Sequence, residues 1–93
     1  MTIKEAERKY RLPRLTTTED LEAYWSNILV YGDKVLLAGF YYNGQDANNY
    51  FGAVYQYTTD DHTCEGKIQL TKASDVEFED DGHAIAWAIA QAQ

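Results

Sequence analysis

The sequence contains few cross-linking, chain-breaking or membrane-spanning features. Its 93 residues include one cysteine, Cys64, and one proline, Pro13. A single cysteine excludes an intramolecular disulfide framework and fits a reducing compartment such as the cytoplasm. The longest apolar run, residues 35–42, is far shorter than the roughly 20 residues that a membrane-spanning helix needs. The first ten residues are charged where a secretory signal would be apolar, so we expect one cytoplasmic domain over residues 1–93, without membrane contact.

Basic residues are scarce outside the first part of the chain. Residues 1–14 carry five basic and two acidic side chains, a net charge of +3. The rest of the chain carries three basic and thirteen acidic side chains, a net charge of −10. This acidic body repels polyanions and can attract basic partners, so direct binding to nucleic acid is not expected.

Residues 2–16 resemble the first helix and turn of a helix-turn-helix motif, with a short basic segment that runs into Leu12-Pro13. In that motif the next helix lies in the major groove. Here the next helix would carry Glu19, Asp20 and Glu22 and no lysine or arginine, and phosphates repel carboxylates. This departure argues against DNA binding.

Two capping boxes mark the starts of N-terminal helices, at residues 2–5 and 16–19, because each has threonine followed three residues later by glutamate. The first predicts a helix over residues 3–10, which ends before Pro13. The second predicts a helix that begins near residue 17 or 18.

Five segments with strand-like patterns follow. They lie at about 27–31, 34–42, 50–58, 67–72 and 75–79, the last being a short edge strand. Gly32-Asp33 has the composition of a two-residue hairpin turn, and residues 43–49 read as a polar hairpin loop. A last helix begins at about residue 80 or 81 and runs to 91, because its acidic start suits the helix dipole. The predicted fold is therefore α+β, with N-terminal helices, an antiparallel four- to five-stranded β-meander and a C-terminal helix packed on one sheet face.

Aromatic residues concentrate in the central hairpin. Residues 39–57 hold seven of the thirteen aromatic side chains, and neither face of either strand is polar. A half-exposed antiparallel strand alternates polar and apolar residues, so both faces are expected to be covered. The helices can cover one face, and we expect a partner on the other. The alternative is a second face that is partly hydrated, since tyrosine is common in strands.

The final helix points to the same conclusion, because no charged side chain occurs from His83 to the end of the chain. A helix without a polar stripe is either central to the core or partly buried by a partner. The leading hypothesis is a small acidic, non-enzymatic interaction or regulatory module, which self-associates as a dimer or binds another protein. The predicted contact residues are Tyr41, Tyr42, Tyr50, Tyr55, Tyr57 and Trp87.

Two other functions remain open. Alternate residues of a strand at 75–79 would project carboxylates from one face and, with the two residues that follow, could imitate a phosphate backbone and inhibit an enzyme that handles DNA or RNA, as small phage or plasmid proteins do. The residues of this acidic row are Asp75, Glu77, Glu79, Asp80 and Asp81. A solvated edge strand whose charges prevent aggregation is the simpler interpretation. The third hypothesis is a domain that binds a small ligand in a tyrosine-lined pocket.

No motif predicts catalysis, a metal or a cofactor. The loop at residues 58–66 contains His62 and Cys64 among acidic residues, but the spacing matches no structural zinc signature. One cysteine and two histidines do not define a nucleophile and its base. The six glycines are scattered and form no phosphate-binding loop. We therefore expect a protein that is not an enzyme.

Overall fold

The computed structural model describes residues 1–42 and 49–93. Within these residues the chain forms three helices and five strands: α1 (Ile3–Tyr10), β1 (Leu15–Thr17), α2 (Thr18–Glu22), β2 (Asn27–Tyr31), β3 (Lys34–Tyr41), β4 (Asn49–Tyr57), β5 (Lys67–Ala73) and α3 (Asp81–Ala92). The strands form one antiparallel sheet in the order β1-β5-β4-β3-β2. The predicted α+β fold with a C-terminal helix on the sheet is confirmed. Residues 43–48 of the predicted hairpin loop lie outside the described residues.

The first capping box is present as predicted. The Glu5 amide donates to Thr2 Oγ1 over 3.1 Å, and the Thr2 amide donates to the Glu5 carboxylate over 3.3 Å. The helix ends where Arg11 adopts left-handed backbone angles (φ 58°), two residues before Pro13.

The second helix begins at residue 18, as predicted, but its N-cap lies one residue later than the capping box indicates. Thr17, not Thr16, is the N-cap, and its hydroxyl accepts a hydrogen bond from the Asp20 amide. Thr16 instead lies in β1, opposite Ile68 of β5. Sequence reasoning missed β1 because three residues are too few to show an alternating pattern.

The predicted edge strand at 75–79 does not form. The chain leaves the sheet at Ser74, whose hydroxyl accepts a hydrogen bond from the Gly52 amide. Beyond it a single β-bridge joins Phe78 to Tyr50, with N···O distances of 2.8 and 2.9 Å. The acidic segment is therefore a bent connection that touches the sheet at one point.

The helices of the chain cover both faces of the sheet. On the first face, β3, β4 and β5 pack against α1 and α2 through a core of Ala6, Tyr10, Leu21, Val35, Leu37, Phe51, Tyr55 and Ile68, among others. On the second face, a smaller cluster joins Leu36 and Val54 to Ala88 of α3. The second face is thus covered in part by α3, and Leu29, Tyr31 and Phe40 remain exposed on it.

Two glycines in the sheet let tryptophan side chains lie close to the strand backbone. A Cβ at Gly39 would lie 2.8 Å from Trp25 Cε3 and 2.6 Å from the Phe51 ring. A Cβ at Gly52 would lie 2.7 Å from Trp87 Cε3 and 2.7 Å from the Ala84 carbonyl oxygen. Each tryptophan therefore lies directly over a glycine, Trp25 on the first face and Trp87 on the second.

None of the helices in the described ranges combines the length and the apolar character that crossing a membrane requires.

Candidate functional site

Two of the predicted contact tyrosines are buried inside the chain. The Tyr55 hydroxyl donates to the Pro13 carbonyl oxygen over 2.7 Å, and the Tyr57 hydroxyl donates to the His62 carbonyl oxygen over 3.3 Å. Burial raises the pKa of both phenols. The prediction that Tyr55 and Tyr57 face a partner is corrected, because both side chains are buried in the core of the first face.

The other predicted contact residues do not share one surface. Tyr41 is half-buried on the first face, where its ring meets Tyr10 edge-on at 5.3 Å. Tyr50 and Trp87 are half-buried on the second face. Tyr42 is 66% exposed at the end of β3. A single tyrosine-rich docking face is therefore absent among these residues.

The acidic row is engaged in contacts within the chain. Asp75 pairs with the amino group of Met1, and Glu77 pairs with Lys9 at 3.2 Å. The Asp81 carboxylate accepts a hydrogen bond from the Asn27 side chain over 3.1 Å. Because no strand forms here, the carboxylates do not project at regular intervals from one strand face, and Glu79 is simply exposed.

Asp80 has a structural task as the N-cap of α3. Its carboxylate accepts a hydrogen bond from the His83 amide over 2.7 Å, and His83 Nδ1 lies 2.8 Å from the same carboxylate. The backbone hydrogen bond from His83, followed by the contact with its ring, lowers the pKa of Asp80. This geometry is what a helix start requires, so it provides no separate evidence for mimicry of a phosphate.

The loop at residues 58–66 holds its polar side chains in local contacts. Asp61 accepts hydrogen bonds from the amide and hydroxyl of Thr63, which lower the pKa of its carboxyl. The His62 ring stacks on Tyr57 with centroids 4.3 Å apart, and Cys64 is exposed. Among the described residues, no three histidine, cysteine or carboxylate side chains gather as metal ligands.

Sequence reasoning missed an exposed edge of the sheet, the outer side of β2. This strand is last in the sheet order, and within residues 1–42 and 49–93 it pairs only with β3. It contains no charged residue, no proline and no bulge, and Leu29, Val30 and Tyr31 are exposed. Unpaired backbone groups on such an edge are a template for another strand.

The opposite edge, β1, differs in length and in its flanking residues. It has three residues, and Pro13 and Arg14 come directly before it. Short edges, prolines and charges are the usual means of preventing strand addition. β2 is therefore the unprotected edge of the sheet.

Helix α3 lies beside this edge on the second face. Leu29 is in register with Leu36, which belongs to the cluster under α3. The hydrogen bond from Asn27 to Asp81 joins the first residue of β2 to the first residue of α3. The edge and the uncharged helix thus form one surface, which we call the β2–α3 surface.

A second candidate site is an open groove of about 1250 Å³ on the first face. It lies between the end of α1, the segment around Arg11, the end of α2 and the end of β3. Its walls include Arg8, Lys9, Arg11, Tyr24, Trp25 and Tyr42. The groove combines basic and aromatic side chains with the carboxylates of Glu7, which pairs with Arg14, and Asp20. The sequence did not show this because these residues come from three separate segments.

Comparison with known protein families shows which family the chain belongs to. The family described as Nucleotide modification associated domain 4, or Nmad4, matches residues 12–92. The chain belongs to the Nmad4 family. The residues that match the family include β2, α3 and the groove residues Tyr24, Trp25 and Tyr42. The groove residues Arg8, Lys9 and Arg11 precede the matched range. Neither curated proteins nor solved structures give a match to the chain.

Proposed function

We propose that the protein is a small, non-enzymatic interaction module of a nucleotide-modification system, and that it works as a homodimer joined through the β2–α3 surface. The description of the Nmad4 family supports the link to nucleotide modification. The exposed, uncharged edge of β2 is the observation that carries the proposed dimer. The predicted cytoplasmic location is part of the same proposal, since the one cysteine is free and exposed.

Pairing of β2 with β2 of a second copy would satisfy the backbone groups on the outer side of the strand. A twofold axis makes such a pair antiparallel, and the two five-stranded sheets would become one continuous sheet. The same operation would place the two α3 helices side by side on the same face. Residues 84–93 carry no charged side chain, so the two helices would bring no like charges together along this stretch.

The charge distribution favours contact at this edge over other parts of the surface. The chain has a net charge of −7, so two copies repel each other over most approaches. Residues 27–31 carry no charge, and a twofold contact there places no like charges opposite one another in the strand pair. Val30, which is 52% exposed, would be near the middle of the interface.

The proposal is tested by measuring the mass in solution at several concentrations with light scattering. The unaltered chain is expected to move from monomer to dimer as its concentration rises. Val30→Lys and Leu29→Lys are expected to remain monomeric, because each introduces charge at the paired edge.

The matched control is Leu15→Lys on the opposite edge, where Leu15 is 59% exposed. This variant adds the same charge to a side chain of similar exposure, and it is expected to dimerise like the unaltered chain. A chain that stays monomeric at every concentration, or equal loss of dimer with Leu15→Lys and Val30→Lys, would contradict the proposal.

A further inference from the structure

We propose that the groove on the first face binds a nucleoside 5′-monophosphate, with its aromatic wall against the base and its arginines against the phosphate. This site is separate from the β2–α3 surface and does not depend on dimerisation. The inference rests on the arrangement of rings and charges around the groove and on the acidic character of the rest of the chain.

The inner wall of the groove is made of rings in fixed positions. Tyr10 stacks on the buried Phe51 with centroids 4.0 Å apart and planes at 4°, and its hydroxyl donates to the Ser74 carbonyl oxygen over 2.9 Å. Trp25 meets Phe51 edge-on at 5.3 Å. Tyr10 and Phe51 are buried, and Trp25 is the partly exposed ring of this set. Because Trp25 is fixed before a ligand arrives, a planar base that contacts it would lose little free energy in ordering the wall.

The outer wall exposes more aromatic surface than the fold needs. Tyr24 is 82% exposed at the end of α2, and Tyr42 is 66% exposed at the end of β3. Neither ring contributes to the core on the first face. Exposed rings beside a groove are the usual platforms for stacking of bases.

Cations also line the groove, together with the carboxylates of Glu7 and Asp20. Lys9 is occupied, because its amino group pairs with Glu77 at 3.2 Å and lies 5.3–5.4 Å from the centroids of Tyr10 and Tyr41. The hydrogen bond to Glu77 and the neighbouring tyrosines outweigh desolvation and raise the pKa of Lys9. In the part of the chain that the structure describes, Arg8 and Arg11 form no ion pair, so both guanidinium groups are available to a phosphate.

Arg11 occupies a backbone position that favours glycine. Its φ of 58° lies in the left-handed region at the C-cap of α1, where glycine adopts the same angle without steric strain. The side chain at this position is exposed and lines the groove.

The charge of the whole chain favours a single nucleotide over a polymer. Outside residues 1–14 the chain carries thirteen acidic and three basic side chains. A long nucleic acid would extend beyond the groove onto this acidic surface and be repelled. A nucleoside monophosphate places its one phosphate group near the arginines and its base on the rings.

The test uses the fluorescence of Trp25 in a Trp87→Phe background, so that only the tryptophan of the groove reports. Titration with AMP is expected to change the emission, whereas inorganic phosphate and adenosine each bind more weakly because each lacks half of the ligand. Arg11→Gly and Tyr24→Ala are each expected to weaken AMP binding by about tenfold.

Three controls keep the result interpretable. Arg11→Gly suits the left-handed backbone, so thermal unfolding is expected to show a stability at least equal to that of the parent. Tyr24→Phe keeps the ring and is expected to keep the affinity. Lys72→Ala removes an exposed cation of β5 outside the groove and is expected to have no effect.

The proposal is overturned if AMP at millimolar concentration leaves the emission unchanged, or if both groove variants bind AMP like the parent. Equal binding of inorganic phosphate and AMP would overturn it as well, and so would binding of a single-stranded oligonucleotide without binding of AMP. A monomer in light scattering would contradict the dimer alone and would leave these outcomes unaffected.

Discussion

On the face of the sheet that α1 and α2 cover, aromatic rings are prominent in the core, whereas the smaller cluster under α3 is aliphatic apart from Trp87. Phe51, Tyr10 and Tyr55 dominate the first face. Ala84 and Ala88 are the buried residues of α3 on the second. On both faces a tryptophan side chain lies over a glycine. At Gly39 the near atoms belong to side chains, whereas at Gly52 they include the backbone carbonyl oxygen of Ala84 in α3.

The two faces of the sheet therefore differ in the contacts that stabilise the packing of their helices. On the first face, tyrosine hydroxyls reach the carbonyl oxygens of Ser74 and Pro13, so buried polar tips are satisfied while the rings pack. On the second face, the Ala84 carbonyl oxygen lies so near Gly52 that there is no room for a methyl group. The first face depends on large buried area, and the second depends on one short contact between helix and strand.

The largest expected effect is the loss of a ring from the first face. Phe51→Ala should reduce the free energy of unfolding by about 3–5 kcal/mol, because it empties the position between Tyr10 and Trp25. Leu36→Ala on the second face should cost about 2–3 kcal/mol, since it removes fewer buried atoms. Urea unfolding followed by circular dichroism measures both values. A larger loss with Leu36→Ala would reverse the comparison.

An intermediate effect is expected when a methyl group is added to either glycine. Gly52→Ala should destabilise by about 2–3 kcal/mol, because the Cβ meets the Ala84 carbonyl oxygen and α3 must move away. Gly39→Ala should cost about 1–2 kcal/mol, because the nearest atoms are the rings of Phe51 and Trp25, which can shift slightly. Thermal and urea unfolding would rank the two variants.

The matched control for this pair is Gly82→Ala in the first turn of α3. The nearest atom to its Cβ is an Asp80 carboxylate oxygen at 3.3 Å, and alanine favours the helix. No loss of stability is expected. If Gly52→Ala were as harmless as Gly82→Ala, the backbone contact would not hold the second face.

The smallest effect concerns the start of α3 and depends on pH. The pKa of Asp80 is lowered in the folded chain, so the unfolded chain binds more protons as the pH falls toward the ordinary value of about 3.9. The contribution of Asp80 is present above that value and is lost as the pH falls through the lowered pKa.

Asp80→Asn keeps an N-cap that does not titrate. Melting temperatures between about pH 6 and pH 3 should fall less steeply for this variant than for the unaltered chain. Parallel curves for the two proteins would show that this cap does not contribute to the acid sensitivity of the α3 face.

Local signals predicted most of the elements. The capping box at residues 2–5, the glycine turn at Gly32 (φ 62°) and the alternation in β5 each act within a few neighbouring residues. Their boundaries agree closely with the structure for α1, β2 and α3. The errors occur where a pattern is very short, as in β1, or where an alternating segment such as 75–79 is not held by a neighbouring strand.

The candidate surfaces were much harder to predict. Tyr42 and Tyr55 look equivalent in the sequence, yet one is exposed at the groove and the other is fully buried. The difference depends on which helix reaches which face of the sheet. The groove likewise needs α1, α2 and β3 to meet, and no spacing along the chain shows that meeting.

The sequence by itself determined the helices, the strands and the uneven charge, because capping, turn formation and alternation depend on residues that are close along the chain. Tertiary structure alone decided that α3 covers the second face, that β2 is left as the open edge and that basic and aromatic residues share a groove. These outcomes depend on contacts between segments that are distant along the chain, such as Trp25 over Gly39 and Trp87 over Gly52.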